Sequence, residues 1–476
     1  MKMNMLKNFF CLCLLLLAFA SCRKEEKIST NTSDKLTFSS DSVLFDTVFV
    51  TVGSTVGGIK VYNPNSKKLV ISSIQLGKGQ ASQFRLNIDG VPGPSATNIE
   101  ISGKDSLFIF VEVTVDPNNS LSPFLITDSI LFSTNGNLQD VKLVAYGQNA
   151  HYIKPTTYLP GYPPLFIFTN NVHWTDSLPY VIFGFAVVDS GYKMTIDAGT
   201  RIYFHKDAGL WVFSGGSIKV NGTKDKPVTF QGDRLEPLYA EEPGQWSRIW
   251  INEGSVDNEF NYAIIKNAFI GIQAEVADGT NKNNKLILKN TIIRNMSGIG
   301  IYSTFYDIDA SNTVVANCAQ QLLGLSYGGI DSFTHCTFAN YWNKSQRQDP
   351  SFVLNNKSSA QKFYFDFSFK NCILDGSVDE EFSFDMDTAM VLPRSYTFEN
   401  CMLKTKKDVS DVNHFVSVFK NQDAAFEDKT MNDYQLTNSS FAIGKGNVSI
   451  ANLFPTDIKG NPRLPLPDLG AYQYHP

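Results

Sequence analysis

Two stretches of the sequence, ILKNTII (residues 287–293) and DASNTVV (residues 309–315), share one pattern: an asparagine, a threonine and two apolar residues. Related stretches lie on both sides, and the asparagine position is held in turn by Asn267, Asn290, Asn312, Cys336, Asn371 and Asn400. Successive members are 23, 22, 24, 35 and 29 residues apart. A period near 23 residues is typical of stacked structural repeats, which place equivalent side chains above one another. The sequence therefore predicts a hydrogen-bonded ladder made of Asn267, Asn290, Asn312, Asn371 and Asn400.

The segment before these repeats resembles the first coils of right-handed parallel β-helices of the pectin-lyase-like class. The likeness is carried by MTIDAGTRIYF (194–204), GLWVFSGGSIKVNGT (209–223) and KPVTF (226–230). It implies a parallel β-helix over residues 191–430, preceded by a linker and N-terminal cap over residues 151–190. Residues 431–476 resemble the closing segment of such proteins, so we expect a C-terminal capping segment there.

Residues 34–150 form a separate region with about seven short runs of alternating apolar and polar residues. Turn signals separate the runs, among them Asn63-Pro64-Asn65 and the hairpin pair Asn135-Gly136. This spacing is typical of an antiparallel sandwich. The region resembles immunoglobulin-like sandwich domains of bacterial envelope proteins, although it lacks the paired core cysteines of antibody domains. The predicted fold class is all-β, an N-terminal antiparallel β-sandwich followed by a right-handed parallel β-helix with a C-terminal cap.

The N-terminus has the organisation of a signal peptide over residues 1–21, with two early lysines and the apolar run CLCLLLLAFA. That run is shorter than the roughly 20 apolar residues of a membrane-spanning helix. Phe19-Ala20-Ser21-Cys22 resembles a bacterial lipobox, which implies that Cys22 becomes the lipidated N-terminus. Residues 22–33 are then a flexible tether.

The charges directly behind Cys22 resemble the export signal of surface lipoproteins in the Bacteroidota. Lys24, Glu25 and Glu26 carry this likeness, and a solvated tether is the alternative interpretation. The resemblance implies a lipid-anchored protein of the outer membrane that faces the cell exterior. The net charge of −5 argues against a nucleic-acid partner, because such a partner requires a basic surface.

Four cysteines remain after processing: Cys318, Cys336, Cys372 and Cys401. None has the CxxC spacing of a zinc site. Because they fall within the repeats, we expect them to pack as small apolar residues.

Catalysis in a β-helix of this class requires carboxylates. Asp307 and Asp309 form one i, i+2 pair. A second acidic group is the candidate site for Ca²⁺ and consists of Asp379, Glu380, Glu381, Asp385 and Asp387. A solvated acidic loop is the alternative, and no other cofactor is indicated. No basic residue recurs beside these carboxylates, so the sequence assigns no catalytic residue.

Aromatic residues offer a different chemistry, because exposed rings stack on sugars and on protein partners. The candidates are Trp211, Trp246, Trp250, Tyr302, Tyr306, Tyr327, Tyr341 and Trp342. The alternative is that these rings fill the interior. Three functions stay open: a non-catalytic binder of a glycan or another envelope protein, a polysaccharide lyase or glycoside hydrolase, and an accessory scaffold subunit of an outer-membrane complex.

Overall fold

The computed structural model of this chain describes residues 27–276, 285–356, 365–385 and 396–476. The signal peptide, Cys22, Lys24, Glu25, Glu26 and Asp387 lie outside the described residues. The chain divides into two compact units, and the boundary falls between Asn149 and Ala150.

The described residues of the first unit form two five-stranded sheets, ordered β1-β3-β8-β5-β6 and β2-β10-β9-β4-β7. Pairing is antiparallel except between β2 and β10. The strands are β1 Thr37–Phe38, β2 Ser42–Phe49, β3 Gly57–Tyr62, β4 Leu69–Leu76, β5 Phe84–Ile88, β6 Val91–Pro92, β7 Ser95–Ile101, β8 Ser106–Val113, β9 Phe124–Thr134 and β10 Asn137–Gln148. One 3₁₀ turn spans Gly79–Ala81.

The alternation of side chains explains this packing. In β8, Leu107, Ile109, Val111 and Val113 are buried, and the residues between them face outward. A strand of period two presents one apolar face, and two such sheets bury those faces against each other.

The second unit is a parallel β-helix, because three long sheets of parallel strands are visited in turn by the chain. Sheet A contains β11 His151–Ile153, β14 Tyr180–Ile182, β17 Arg201–Phe204, β20 Val228–Gly232, β23 Ala263–Lys266, β26 Ile292–Met296, β29 Val314–Cys318, β32 Thr337–Asn340, β35 Ile373–Gly376, β38 Met402–Leu403 and β40 Phe419–Lys420. Sheet B contains β12 Leu165–Phe168, β15 Phe185–Val188, β18 Gly209–Val212, β21 Ile249–Ile251, β24 Ile270–Glu275, β27 Ile299–Thr304, β30 Leu323–Ser326, β33 Phe352–Asn355 and β36 Phe382–Asp385. Sheet C contains β13 Val172–Trp174, β16 Lys193–Asp197, β19 Ser217–Asn221, β22 Asn258–Asn261, β25 Lys285–Lys289, β28 Asp307–Ser311, β31 Gly329–Thr334, β34 Phe365–Lys370, β37 Tyr396–Glu399 and β39 Phe415–Val416. The predicted all-β fold class is confirmed.

The interior of the β-helix is built from columns of like residues. On sheet C the rings of Phe333, Phe369, Phe398 and Phe415 stack in sequence, with centroid separations of 4.7, 5.1 and 5.5 Å. The four described cysteines are buried and have free thiols, so they pack in the interior as small apolar residues do. Each coil therefore stabilises its neighbours through repeated apolar contacts.

The ladder lies at the turn from sheet C to sheet A. Asn290, Asn312, Asn371 and Asn400 all occupy this turn with φ between 47° and 52°. The left-handed backbone favours asparagine, which tolerates it better than other non-glycine residues. Asn312 Nδ2 donates to Asn290 Oδ1 at 3.1 Å.

Two members of the predicted series require correction. The turn position between Asn312 and Asn371 belongs to His335, φ 52°, whose Nε2 lies 3.1 Å from Asn371 Nδ2; Cys336 is the interior residue after it. Asn267 follows a strand of sheet A, so it occupies a different turn, from sheet A to sheet B. Both turns carry an asparagine in the same short motif. The spacing between the asparagines alone therefore did not distinguish one turn from the other.

The C-terminal segment covers the outer face of sheet A. It includes the hairpin strands β41 Phe426–Asp428 and β42 Asp433–Leu436, and a helical turn Val448–Ala451. Phe426, Tyr434 and Leu469 pack with outward residues of sheet A such as Val314 and Ile373. The buried Arg463 donates to Asn312 Oδ1 at 2.9 Å, so this segment also contacts the ladder.

Candidate functional site

A cleft of about 370 Å³ lies beside the turns from sheet A to sheet B. Five segments line it: the loop before β21, the ends of β26 and β29, the loop after β32, and the β41–β42 turn. The lining residues are Glu241, Pro243, Asn295, Asn317, Trp342, Asn343, Lys344, Thr430 and Asn432. Its size falls in the range of small-ligand sites, about 300–1,000 Å³.

The floor of this region is a second row of asparagines. Asn267 directly follows β23, and Asn295 and Asn317 lie near the ends of β26 and β29, where the chain bends from sheet A towards sheet B, with φ of 65°, 59° and 49°. Asn295 lies 3.5 Å from Asn267 Oδ1, and Asn317 Oδ1 accepts the Tyr341 backbone N–H at 3.0 Å. The row thus provides amide groups at the base of the cleft and fixes the start of the loop after β32.

Glu241 is the centre of the charged contacts in the cleft. Its carboxylate accepts hydrogen bonds from both terminal nitrogens of Arg294, and Lys266 Nζ lies 3.2 Å away. Asn295 and Asn432 donate to the same carboxylate. Burial raises the pKa of Glu241, but Arg294 and Lys266 outweigh it and hold that pKa below its usual value. Glu241 is therefore ionised and fully engaged, unlike a general acid.

The loop that carries Trp342 is held by a buried ion pair at its far end. Arg347 and Glu381 are 2% and 0% exposed and form two parallel hydrogen bonds of 2.6 and 2.8 Å. Arg347 also donates to the carbonyl of Asn340, at the start of the loop. Trp342 itself is half-buried, and its Nε1 donates to Ser345 Oγ at 2.9 Å, which orients the ring.

The structure separates the aromatic candidates into structural and accessible rings. Trp246 and Tyr306 are buried in the β-helix interior, and Trp246 stacks on Phe204 at 4.1 Å. Trp211 and Trp250 stack on each other at 4.5 Å on the outer face of sheet B. Each indole ring therefore presents one of its faces to the other ring.

The remaining aromatic candidates are Tyr302, Tyr327, Tyr341 and Trp342. Tyr341 donates to the buried Asp375 at 2.6 Å and lies under the C-terminal hairpin. Tyr302 and Tyr327 are half-buried and do not line the cleft. Trp342 is the aromatic candidate that the structure places at the cleft.

The carboxylates proposed for catalysis or Ca²⁺ have protein partners. Asp307 accepts the Ile330 backbone N–H at 2.7 Å, and Asp309 lies 3.4 Å from Lys285. Asp379 pairs with Lys406, Glu380 accepts from Thr405 and two backbone N–H groups, and Glu381 binds Arg347. Asp385 ends β36 and is exposed. Within residues 27–276, 285–356, 365–385 and 396–476, no group of three acidic, His or Cys side chains is arranged to hold a metal.

The chemistry of the cleft follows from these contacts. Glu241 is the one carboxylate among its described lining residues, and cations neutralise it. Hydrolysis of a glycosidic bond by two carboxylates would need a second acidic side chain within about 10 Å. The neighbouring carboxylate, Glu242, pairs with Lys344 at 3.1 Å. Amides, a hydroxyl, an ammonium and one indole ring are suited to binding a polar ligand with an apolar face.

The residues of the site that were not predicted from the sequence are Glu241, Arg294, Asn295, Asn317, Asn343, Lys344, Thr430 and Asn432. A signal for part of the site was present, because Asn295 and Asn317 each follow a ladder asparagine by five residues. The others, apart from Arg294 on β26, lie in insertions whose contacts are distant in sequence. No periodic pattern brings residue 241 to residue 432.

Comparisons with known proteins add little. No protein-family model matches the sequence, and no curated protein matches it. A solved structure of a family 123 glycoside hydrolase from Clostridium perfringens, described in terms of glycolipid glycan hydrolysis, is similar at 8% identity and a TM-score of 0.18. The match covers 25% of this chain and 30% of that one, and a likeness this slight carries no argument. In the part of the chain that the structure describes, no helix has the length and apolarity needed to span a membrane.

Proposed function

We propose that this chain is a non-catalytic, lipid-anchored protein of the outer-membrane surface that binds a glycan in the cleft between Glu241 and Trp342. The cleft carries this proposal, because it combines one accessible indole ring with amide, hydroxyl and ammonium groups. Sugars present the matching surface, a C–H face for the ring and hydroxyls for the polar groups.

The rigidity of the cleft supports a binding role. The Trp342 loop is held by the Arg347–Glu381 pair, and Asn295 and Asn317 lie near the ends of β26 and β29. Groups that are already fixed lose little entropy when a ligand binds. The anchoring part of the proposal rests on the lipobox-like Cys22 and the charges of Lys24, Glu25 and Glu26.

The test is retention by polysaccharides in native gels. Purified protein is run through gels that contain xylan, β-glucan, mannan, dextran, alginate or polygalacturonate. We expect slowed migration in at least one gel, and Trp342→Ala should weaken that retention about tenfold or more, as loss of a central aromatic contact does.

Tyr158→Ala is the matched control, because Tyr158 is an aromatic residue of the same unit that is 72% exposed and outside the cleft. Its retention should equal that of the wild type. Retention by none of the six polysaccharides, or equal losses in the two variants, would contradict binding in this cleft.

A further inference from the structure

Five hydrogen-bond donors converge on one carboxylate at the edge of the cleft. Arg294 contributes both terminal nitrogens, with Nη2 at 2.9 Å from Glu241 Oε1. Lys266 contributes Nζ at 3.2 Å, and the side-chain amides of Asn295 and Asn432 complete the set, the latter at 3.3 Å. We call these four residues the cradle.

The cradle is assembled from rigid parts of the fold. Lys266 and Arg294 are paired neighbours on adjacent strands of sheet A. Asn295 follows Arg294 near the end of β26, and Asn432 comes from the β41–β42 hairpin, where its Oδ1 accepts from Asn317. Three independent elements therefore hold the donors in place.

Glu241, whose carboxylate the cradle contacts, comes from a different part of the chain. Glu241 belongs to the long loop between β20 and β21, which contains only a 3₁₀ turn, Pro237–Tyr239. The Glu241 side chain is 42% exposed, whereas those of Lys266 and Arg294 are 14% and 18% exposed. The carboxylate thus sits at the open side of the cradle, where solvent and ligands reach it.

The charges favour an anion at this place. Two cations face the single carboxylate of Glu241, so the cluster keeps one excess positive charge. The neighbouring Glu242 does not share in it, because Glu242 pairs with Lys344 at 3.1 Å. A guanidinium that donates two hydrogen bonds, together with amide donors, is the arrangement that recognises carboxylates and phosphate-like oxyanions.

We propose that the cradle is a binding site for an oxyanion group of the ligand, and that Glu241 occupies it in the free protein and is displaced on binding. This inference rests on the proposed function. It assigns the cleft to glycans that carry a carboxylate, sulfate or phosphate substituent next to the sugar ring that stacks on Trp342. The loop carboxylate also raises the selectivity, because a neutral ligand gains nothing from displacing it.

The test compares two adjacent glutamates. Glu241→Ala empties the cradle, whereas Glu242→Ala removes the same charge one residue away and leaves the cradle filled. Each variant and the wild type are melted in rising concentrations of acetate, sulfate or phosphate, against chloride at equal ionic strength. We expect a saturable rise in melting temperature for Glu241→Ala only, and the most effective anion identifies the substituent.

A second measurement uses polymers. Glu241→Ala should bind polygalacturonate, or a sulfated or phosphorylated polymer, about tenfold more tightly than Glu242→Ala does, with no difference for dextran. Equal anion effects in both variants would overturn the cradle. Anion-specific stabilisation without retention by any glycan would support the cradle while refuting the proposed function, so the two failures are distinguishable.

Discussion

Asn312→Ala should destabilise the β-helix more than its size suggests, because Asn312 joins the ladder to the C-terminal segment. The side chain is 7% exposed, and its Nδ2 donates to Asn290 Oδ1 at 3.1 Å and to the Thr456 carbonyl at 3.0 Å. Its Oδ1 accepts from the buried Arg463 at 2.9 Å. Removal leaves these three partners short of one bond each.

The magnitude follows from burial. A buried polar group left without its partner costs about 1–3 kcal/mol, and local rearrangement recovers part of a sum over three groups. We therefore expect a loss of roughly 2–5 kcal/mol from the contacts. Alanine in a left-handed conformation adds about 1–2 kcal/mol.

Asp257→Ala is the control, since Asp257 has φ 59° in the same unit and an exposed side chain. It has the same backbone cost without the ladder contacts. All five tryptophans, Trp174, Trp211, Trp246, Trp250 and Trp342, lie in the second unit, so urea unfolding followed by tryptophan fluorescence reports on the β-helix alone. Equal unfolding midpoints for the two variants would refute the claim that the ladder contributes beyond its turns.

Three further predictions concern other parts of the chain. Arg347→Met should cost about 3–5 kcal/mol, because it leaves the buried Glu381 unpaired, and the double variant with Glu381→Leu should recover much of that loss in the same urea assay. Burial raises the pKa of Asp331, so its stabilising contribution is present below the unfolded pKa and is lost as pH rises through the folded pKa. Asp331→Asn should therefore flatten the fall in unfolding midpoint as pH rises above about 4, and an unchanged pH profile would contradict it. Cys22→Ala should abolish lipidation, and replacing Lys24, Glu25 and Glu26 with alanine should keep lipidation but remove the protein from the cell surface. Mass spectrometry of the mature N-terminus and protease treatment of intact cells measure these two outcomes, and an unmodified wild-type N-terminus or unchanged cleavage would disprove them.

The ladder shows how far the sequence determines this fold. The spacing of 22 residues between Asn290 and Asn312 corresponds to one full coil, so the period correctly indicated stacked repeats, and the resemblance supplied the parallel β-helix. Asn267 was assigned to the wrong row because the neighbouring coils have two left-handed positions five residues apart, at 262 and 267, 290 and 295, and 312 and 317. Register along the sheets, with Lys266 opposite Arg294, is what separates the rows.

The aromatic candidates show where sequence patterns stop being informative. Trp246 and Trp342 both lie in loops between strands, yet Trp246 stacks inside the β-helix and Trp342 lines the cleft. Trp246 lies near the end of the long loop before β21, where its backbone pairs with Ala268 of the neighbouring coil, whereas Trp342 lies at the start of the loop after β32. The order of residue types in the sequence does not specify the direction in which a side chain points.

The same distinction explains why the candidate site lies where it does. A repeating coil places the same kind of side chain at the same position in every turn, which stabilises the fold but provides no unique recognition surface. A site arises where insertions meet one stretch of the repeat, as the loop of Glu241, the loop of Trp342 and the hairpin of Asn432 meet the strand ends of Asn295 and Asn317. The three insertions are fixed by separate contacts, namely the cradle, the Arg347–Glu381 pair and the packing of the hairpin on sheet A. Only the first of these contacts faces an open cleft, so it is the one that a ligand is able to replace without disturbing the β-helix.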